Sequence, residues 1–128
     1  PAATPRAAKA LSPLETAEQA RRRGELQPAR DAYARAVAAG DAGAEVAILR
    51  WARLELEAGA TDRAAELLAR HHKTFATPQL TAEASWLQVR VLAARGDEKA
   101  ARTAAQHLID QQPDTPQANA ARRWLQRR

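Results

Sequence analysis

Gly24-Glu25-Leu26-Gln27-Pro28-Ala29, Gly59-Ala60-Thr61-Asp62-Arg63-Ala64 and Gly96-Asp97-Glu98-Lys99-Ala100-Ala101 are three spellings of one local pattern. The glycines stand 35 and 37 residues apart, and each is followed five positions later by Ala. A period in the mid-thirties is the mark of stacked helical hairpins. Each Gly follows a helical stretch and stands where a left-handed stop is needed. The residues after it restart a helix, and the small side chain of Ala29, Ala64 or Ala101 lets that helix approach the previous one closely.

Working outward from these turns, the spacing predicts seven helices, at about 13–23, 27–39, 43–58, 62–73, 79–95, 98–111 and 116–127. Ser12-Pro13-Leu14-Glu15 reads as a capping box with Pro at the first helical position. Gly40 stops the second helix, Thr77-Pro78 precedes the fifth, Pro113 ends the sixth, and Thr115-Pro116 opens the seventh. The expected architecture is an all-α, right-handed helical-hairpin solenoid. Three pairs occupy about 12–40, 43–76 and 78–113, and a capping helix occupies 116–128. Pro1 to Leu11, with two Pro, one Thr, two basic residues and no apolar period, reads as a Pro/Ala-rich linker. One pair cannot bury its apolar face alone, whereas three stacked pairs can.

Composition agrees with ordered helices. The 128 residues include 34 Ala, the best helix former, with Gly and Pro at only twelve positions. Leu, Ile, Val and Phe are sparse, but a net charge of +5 is too small for a disordered chain of this length. There is no Cys, so disulfides, thiol catalysis and Cys-ligated metal are excluded. No apolar run approaches the length of a membrane span, and no signal-peptide pattern is present. A chain without Met that starts at Pro1 is expected to be a processed or cut piece, so any membrane attachment would use a segment outside it. Arg outnumbers Lys by 17 to 3, which together with the Ala content reads as the codon bias of a GC-rich bacterial genome.

These residues resemble the tetratricopeptide repeat (TPR), a helix-turn-helix unit of about 34 residues. The first copy carries Ala17, Ala20, Gly24, Ala29, Tyr33 and Ala36. The second carries Trp51, Ala52, Gly59, Ala64 and Leu68, with Glu55 at an apolar position and His71 in place of the last Ala. The third carries Leu92, Gly96, Ala101, Leu108 and Pro113, with Val89 where a small residue is usual. The resemblance spans about 10–128 and implies a degenerate TPR domain. The stretch from Leu108 to Pro116 is similar to repeats of bacterial cell-envelope TPR proteins. That likeness implies a periplasmic or envelope placement, with the cytoplasmic face of a membrane complex as the alternative.

The resemblance further implies a protein–protein interaction scaffold whose first helices line a groove. Groove positions fall on Leu14, Glu18, Arg21 and Arg22, on Val46, Leu49, Arg53 and Leu56, and on Glu83, Trp86 and Arg90, with Trp124 as a further member. Of these, Leu49, Arg53, Leu56, Trp86, Arg90 and Arg22 are the candidate partner-binding residues. Arg53 and Arg90 beside Leu49 and Trp86 would suit a peptide with acidic residues or a free carboxylate. Gly24, Ala29, Gly59, Ala64, Gly96 and Ala101 are the repeat-structural set. Trp51, Trp86 and Trp124 are expected to pack between helices.

Catalysis needs converging groups of tuned protonation. The chain has no Gly-rich phosphate loop, no His-Glu-x-x-His and no nucleophile elbow. No enzyme activity, cofactor or metal is therefore expected. His71 and His72 point about 100° apart on a helix and read as surface or helix-end groups, and His107 lies in another hairpin. Carboxylates such as Glu18 and Glu66 stand four residues before Arg22 and Arg70, a pattern of surface pairs. Arg21, Arg22, Arg23, Arg95, Arg127 and Arg128 are expected in last helical turns, where cations offset the helix dipole. The alternative function is electrostatic binding of nucleic acid or another anionic polymer through the Arg-rich surface. Only one Tyr and one Phe, no aromatics interleaved with the basic residues and abundant nearby Glu disfavour it. Self-association through an open end is a second protein-level reading.

Overall fold

The structure is a computed structural model; it describes residues 10–127. The linker assigned to Pro1–Leu11 lies almost wholly outside the described residues. Among those residues the protein is all-helical, with seven helices and no strand. These are α1 (Pro13–Arg22), α2 (Leu26–Ala39), α3 (Ala44–Glu57), α4 (Thr61–Thr74), α5 (Thr81–Ala94), α6 (Glu98–Gln111) and α7 (Pro116–Gln126). None is long and apolar enough to cross a membrane.

The first helix begins as its sequence dictates. The Ser12 hydroxyl accepts the Glu15 amide at 3.1 Å, and the Glu15 carboxylate accepts the Ser12 amide at 2.8 Å. This reciprocal box satisfies two otherwise orphaned donors. Thr115 caps α7 without the reciprocal bond, its hydroxyl accepting the Ala118 amide at 3.1 Å, ahead of Pro116.

The three Gly turns share one hydrogen-bond geometry. The amides of Gly24, Gly59 and Gly96 donate to Arg21, Leu56 and Ala93, three residues back. The next amides, of Glu25, Ala60 and Asp97, donate five residues back to Ala20, Glu55 and Leu92 at 2.8–3.0 Å. This pair of bonds is the Schellman stop, and it requires a residue at positive φ between them. Gly59 stands there at φ 84°, a conformation that costs any residue with a Cβ. Ala29, Ala64 and Ala101 then close the first turn of the following helix, and each is fully buried.

Burial relies on close approach more than on bulk. Ala supplies more than half of the buried apolar side chains described, around a few large ones such as Tyr33, Ile48, Leu49, Leu67 and Leu108. Each helix packs on its neighbours in sequence, and α3, α5 and α7 also touch in succession. The apolar residues fall into two clusters. The first joins α1 to α4 and takes Leu87 and Val91 from α5. The second joins the other side of α5, through Ala82 and Val89, to α6 and α7. Among successive helices, α4 and α5 make the sparsest contact. The outward positions of α7, including Asn119, Arg123 and Gln126, are polar and exposed, so this end offers water no apolar face.

Three buried or part-buried carboxylates tie helices together. Glu55, 2% exposed, accepts two bonds from Arg30 of α2 at 2.7 and 2.8 Å and the indole N–H of Trp51 at 3.0 Å. Glu18 accepts the Tyr33 hydroxyl from α2 and faces Arg50 of α3 at 3.3 Å. Glu45 takes the imidazole of His71 and two loop amides. His71 stands in the last turn of α4, as its sequence suggested, but it is 4% exposed and paired at 2.9 Å and so is no surface group. The expected surface pairs are also corrected. Glu18 bonds Arg21 at 3.2 Å instead of Arg22, and Glu66 bonds Arg63 at 3.0 Å instead of Arg70, because the i,i+3 partner on each helix is the nearer one.

Candidate functional site

The odd-numbered helices α3, α5 and α7 line one cleft of about 320 Å³, to which α3 and α5 bring charged side chains. Arg50 and Arg53 come from α3, Glu83, Trp86, Leu87 and Arg90 from α5, and Gln117 from α7. The positions on α3 and α5 recur at helical spacing, which places each set on one face of its helix. A smaller recess of about 140 Å³ continues from it, lined by Glu18, Arg21, Tyr33, Arg50 and Arg53. Together they set four guanidinium groups, from Arg21, Arg50, Arg53 and Arg90, along one continuous surface.

The electrostatics differ from one end to the other. Glu18 is engaged by Tyr33, Arg21 and Arg50. Burial opposes its ionisation, but the Tyr33 hydrogen bond and the two guanidinium groups outweigh burial and hold its carboxyl below the usual value. Burial and the same hydrogen bond push the Tyr33 hydroxyl well above its ordinary value, so it stays a proton donor. Arg53 pairs with Glu57 at 3.1 Å, but both side chains are exposed and the pair is weak. Arg90 makes no ion pair among the described residues, so its donors are available to a ligand. Guanidinium groups suit planar anions, since their fixed fork matches a carboxylate.

Of the residues expected at a binding groove, Arg53, Trp86 and Arg90 do share the cleft, with Glu83 beside them and Glu18 and Arg21 in the adjoining recess. Others are placed elsewhere. Leu49 is 0% exposed in the first apolar cluster and cannot touch a partner. Leu56 is part-buried against that same cluster. Arg22 is exposed but lies outside the cleft, because the face of α1 that turns inward carries Glu18 and Arg21. Trp86 and Trp124 both pack on the second cluster, and Trp51 is 6% exposed with Arg63 stacked 4.9 Å from its ring. Arg50 and Gln117 were missed. Arg50 stands one turn before Arg53, and that spacing was the available signal. Gln117 carried none, since its place depends on how α7 docks.

Two larger cavities, of about 630 and 550 Å³, lie on the opposite face of α5 and share Ser85 and Gln88. From α4 and α6 their walls take alanines together with His71, His72, His107, Lys99, Leu68 and Thr103. Among the described residues no group of three or more His, Asp or Glu could hold a metal ion. Compared with protein-family models, curated proteins and solved structures, the chain matches none.

Proposed function

We propose that the chain is a degenerate TPR-type, right-handed helical-hairpin solenoid that works as a protein–protein interaction scaffold, with no catalytic role. Its units are the three pairs at about 12–40, 43–76 and 78–113, and α7 is the cap. The thrice-repeated Gly stop, each followed by a buried Ala, supports the repeat reading. The partner is a peptide segment or subunit bearing acidic side chains or a free carboxylate, within a bacterial membrane-associated or envelope complex.

The observation that carries this reading is the cleft that Arg50, Arg53 and Arg90 line together with Trp86. Arg90 is unpaired there among the described residues, and Arg53 is only loosely held by an exposed Glu. Such a site exchanges weak local pairs for bidentate bonds to an incoming carboxylate. Each helix presents its own Arg side chains already spaced along one face, which lowers the ordering cost of association.

The test is cross-linking capture from extract of the source organism at low and high salt. Wild type is compared with Arg53→Glu/Arg90→Glu, with helicity checked by circular dichroism. The proposal expects a protein that survives high salt and is lost in the double variant. Capture of only nucleic acid or polysaccharide, vanishing at high salt, would replace it with a polymer-binding role.

A further inference from the structure

The junction between α4 and α5 differs from the others. The loop there, residues 75–80, is longer than the four residues that join α2 to α3 or α6 to α7. It is also the place where helix packing is thinnest. Open space flanks it on both faces of α5, the charged cleft on one side and the 550 Å³ cavity on the other. The two apolar clusters meet along α5, so this is where the molecule has least holding it straight.

Two side-chain links cross the junction: an exposed pair of Arg95, just past α5, with Asp62 of α4 at 3.0 Å, and a buried one made by Glu45. Glu45, in the first turn of α3 and 8% exposed, accepts the Gln79 amide at 3.0 and 3.1 Å and the Leu80 amide at 3.0 Å. It also bonds His71 Nε2 of α4 at 2.9 Å. His71 in turn lies against Phe75 at the start of the loop, with ring centroids 5.3 Å apart. A single carboxylate from the second hairpin thus holds both ends of the connection to the third. Such charge-assisted bonds in a dry setting are among the stronger ones a protein makes.

We propose that Glu45 is the latch of a hinge at residues 75–80, and that releasing it lets α5–α7 swing as a unit relative to α1–α4. The cleft straddles this hinge, since Arg50 and Arg53 ride on α3 while Trp86, Arg90 and Gln117 ride on α5 and α7. Release changes the separation of the two Arg sets, so the latch sets the width of the cleft. The loop contributes backbone N–H groups to Glu45, α4 contributes His71, and no other charged group acts on it among the described residues. His72 and Arg95 line the cavity beside His71, and Arg95 is tied to Asp62 at 3.0 Å. This inference is independent of what the cleft binds.

Two measurements test it. The first is hydrogen exchange by NMR on the wild-type chain. Gln79 and Leu80 amides should exchange through an opening at least about tenfold more frequent than that of the α3 and α6 interiors. Exchange of all of them at one common rate would overturn the hinge, because the loop would then open only with the whole fold. The second uses the absence of Cys: spin labels at Arg35→Cys on α2 and Arg123→Cys on α7 report the distance between the two units. In Glu45→Gln the distribution should broaden or shift by several Å while α3 and α6 amides stay protected. An unchanged distribution with Gln79 and Leu80 exposed to exchange would overturn the latch, since the loop would be free and the units still fixed.

Discussion

Replacing Glu55 by Ala strips two bonds from Arg30 and leaves the Trp51 indole N–H, deep in α3, without its acceptor. A buried donor left unmatched carries its full desolvation cost. Arg30 is 30% exposed and recovers part of its loss from water, so the destabilisation should be about 2–3 kcal/mol by urea unfolding. In the sequence Glu55 reads as a departure from an apolar repeat position. Its partner Arg30 lies 25 residues away in another hairpin, and no local pattern connects them. The same holds for His71 and Glu45, 26 residues apart. The acid limb of stability belongs to this scale too. Burial works against ionisation of Glu18 and Glu45, but the hydrogen bonds to both, joined for Glu18 by the Arg50 and Arg21 guanidinium groups, win and hold both below the usual carboxylate value. A carboxyl depressed in the folded state adds stability that is fully present above its unfolded value and is lost as pH falls through the folded one. Unfolding free energy measured from pH 7 down to pH 3 should therefore decline below about pH 4.5. That decline should be shallower in Glu45→Gln, which has one fewer depressed carboxyl.

At the scale of elements, the Gly stops and the Ala contacts make separable predictions. A Cβ at Gly59 would meet nothing within 4 Å, so Gly59→Ala adds backbone strain and no clash. The cost should be about 1–2 kcal/mol in urea unfolding, and Gly59→Asn should cost less. Ala101 is fully buried between α5 and α6, and Ala101→Leu should cost about 1–3 kcal/mol by overpacking that contact. These features were legible because they are local. Stop, restart and cap each depend on a few adjacent residues, and the seven helices end within two residues of their expected bounds. The cleft was legible in part. Helical spacing puts Arg53, Trp86 and Arg90 on repeating faces, and those faces do meet. Spacing alone does not say how far a helix is rotated towards its neighbour. A modest rotation separates buried Leu49 from exposed Arg50, the next residue, and spacing does not distinguish them.

For the whole molecule, two apolar clusters and one charged cleft across their boundary make binding and shape a single question. A ligand that bridges Arg53 of α3 and Arg90 of α5 ties the two units together, and should slow exchange at Gln79 and Leu80. The central claim is that the cleft is the face that meets a protein partner. Its most direct measurement is site-resolved photo-cross-linking in extract of the source organism. A photoreactive residue replaces Gln117 inside the cleft or Thr103 on the opposite side of α5. The account predicts a protein adduct from position 117, none from position 103, and loss of the adduct in Arg53→Glu/Arg90→Glu. Adducts from position 103 alone, or adducts at 117 that persist in the double variant, would contradict it.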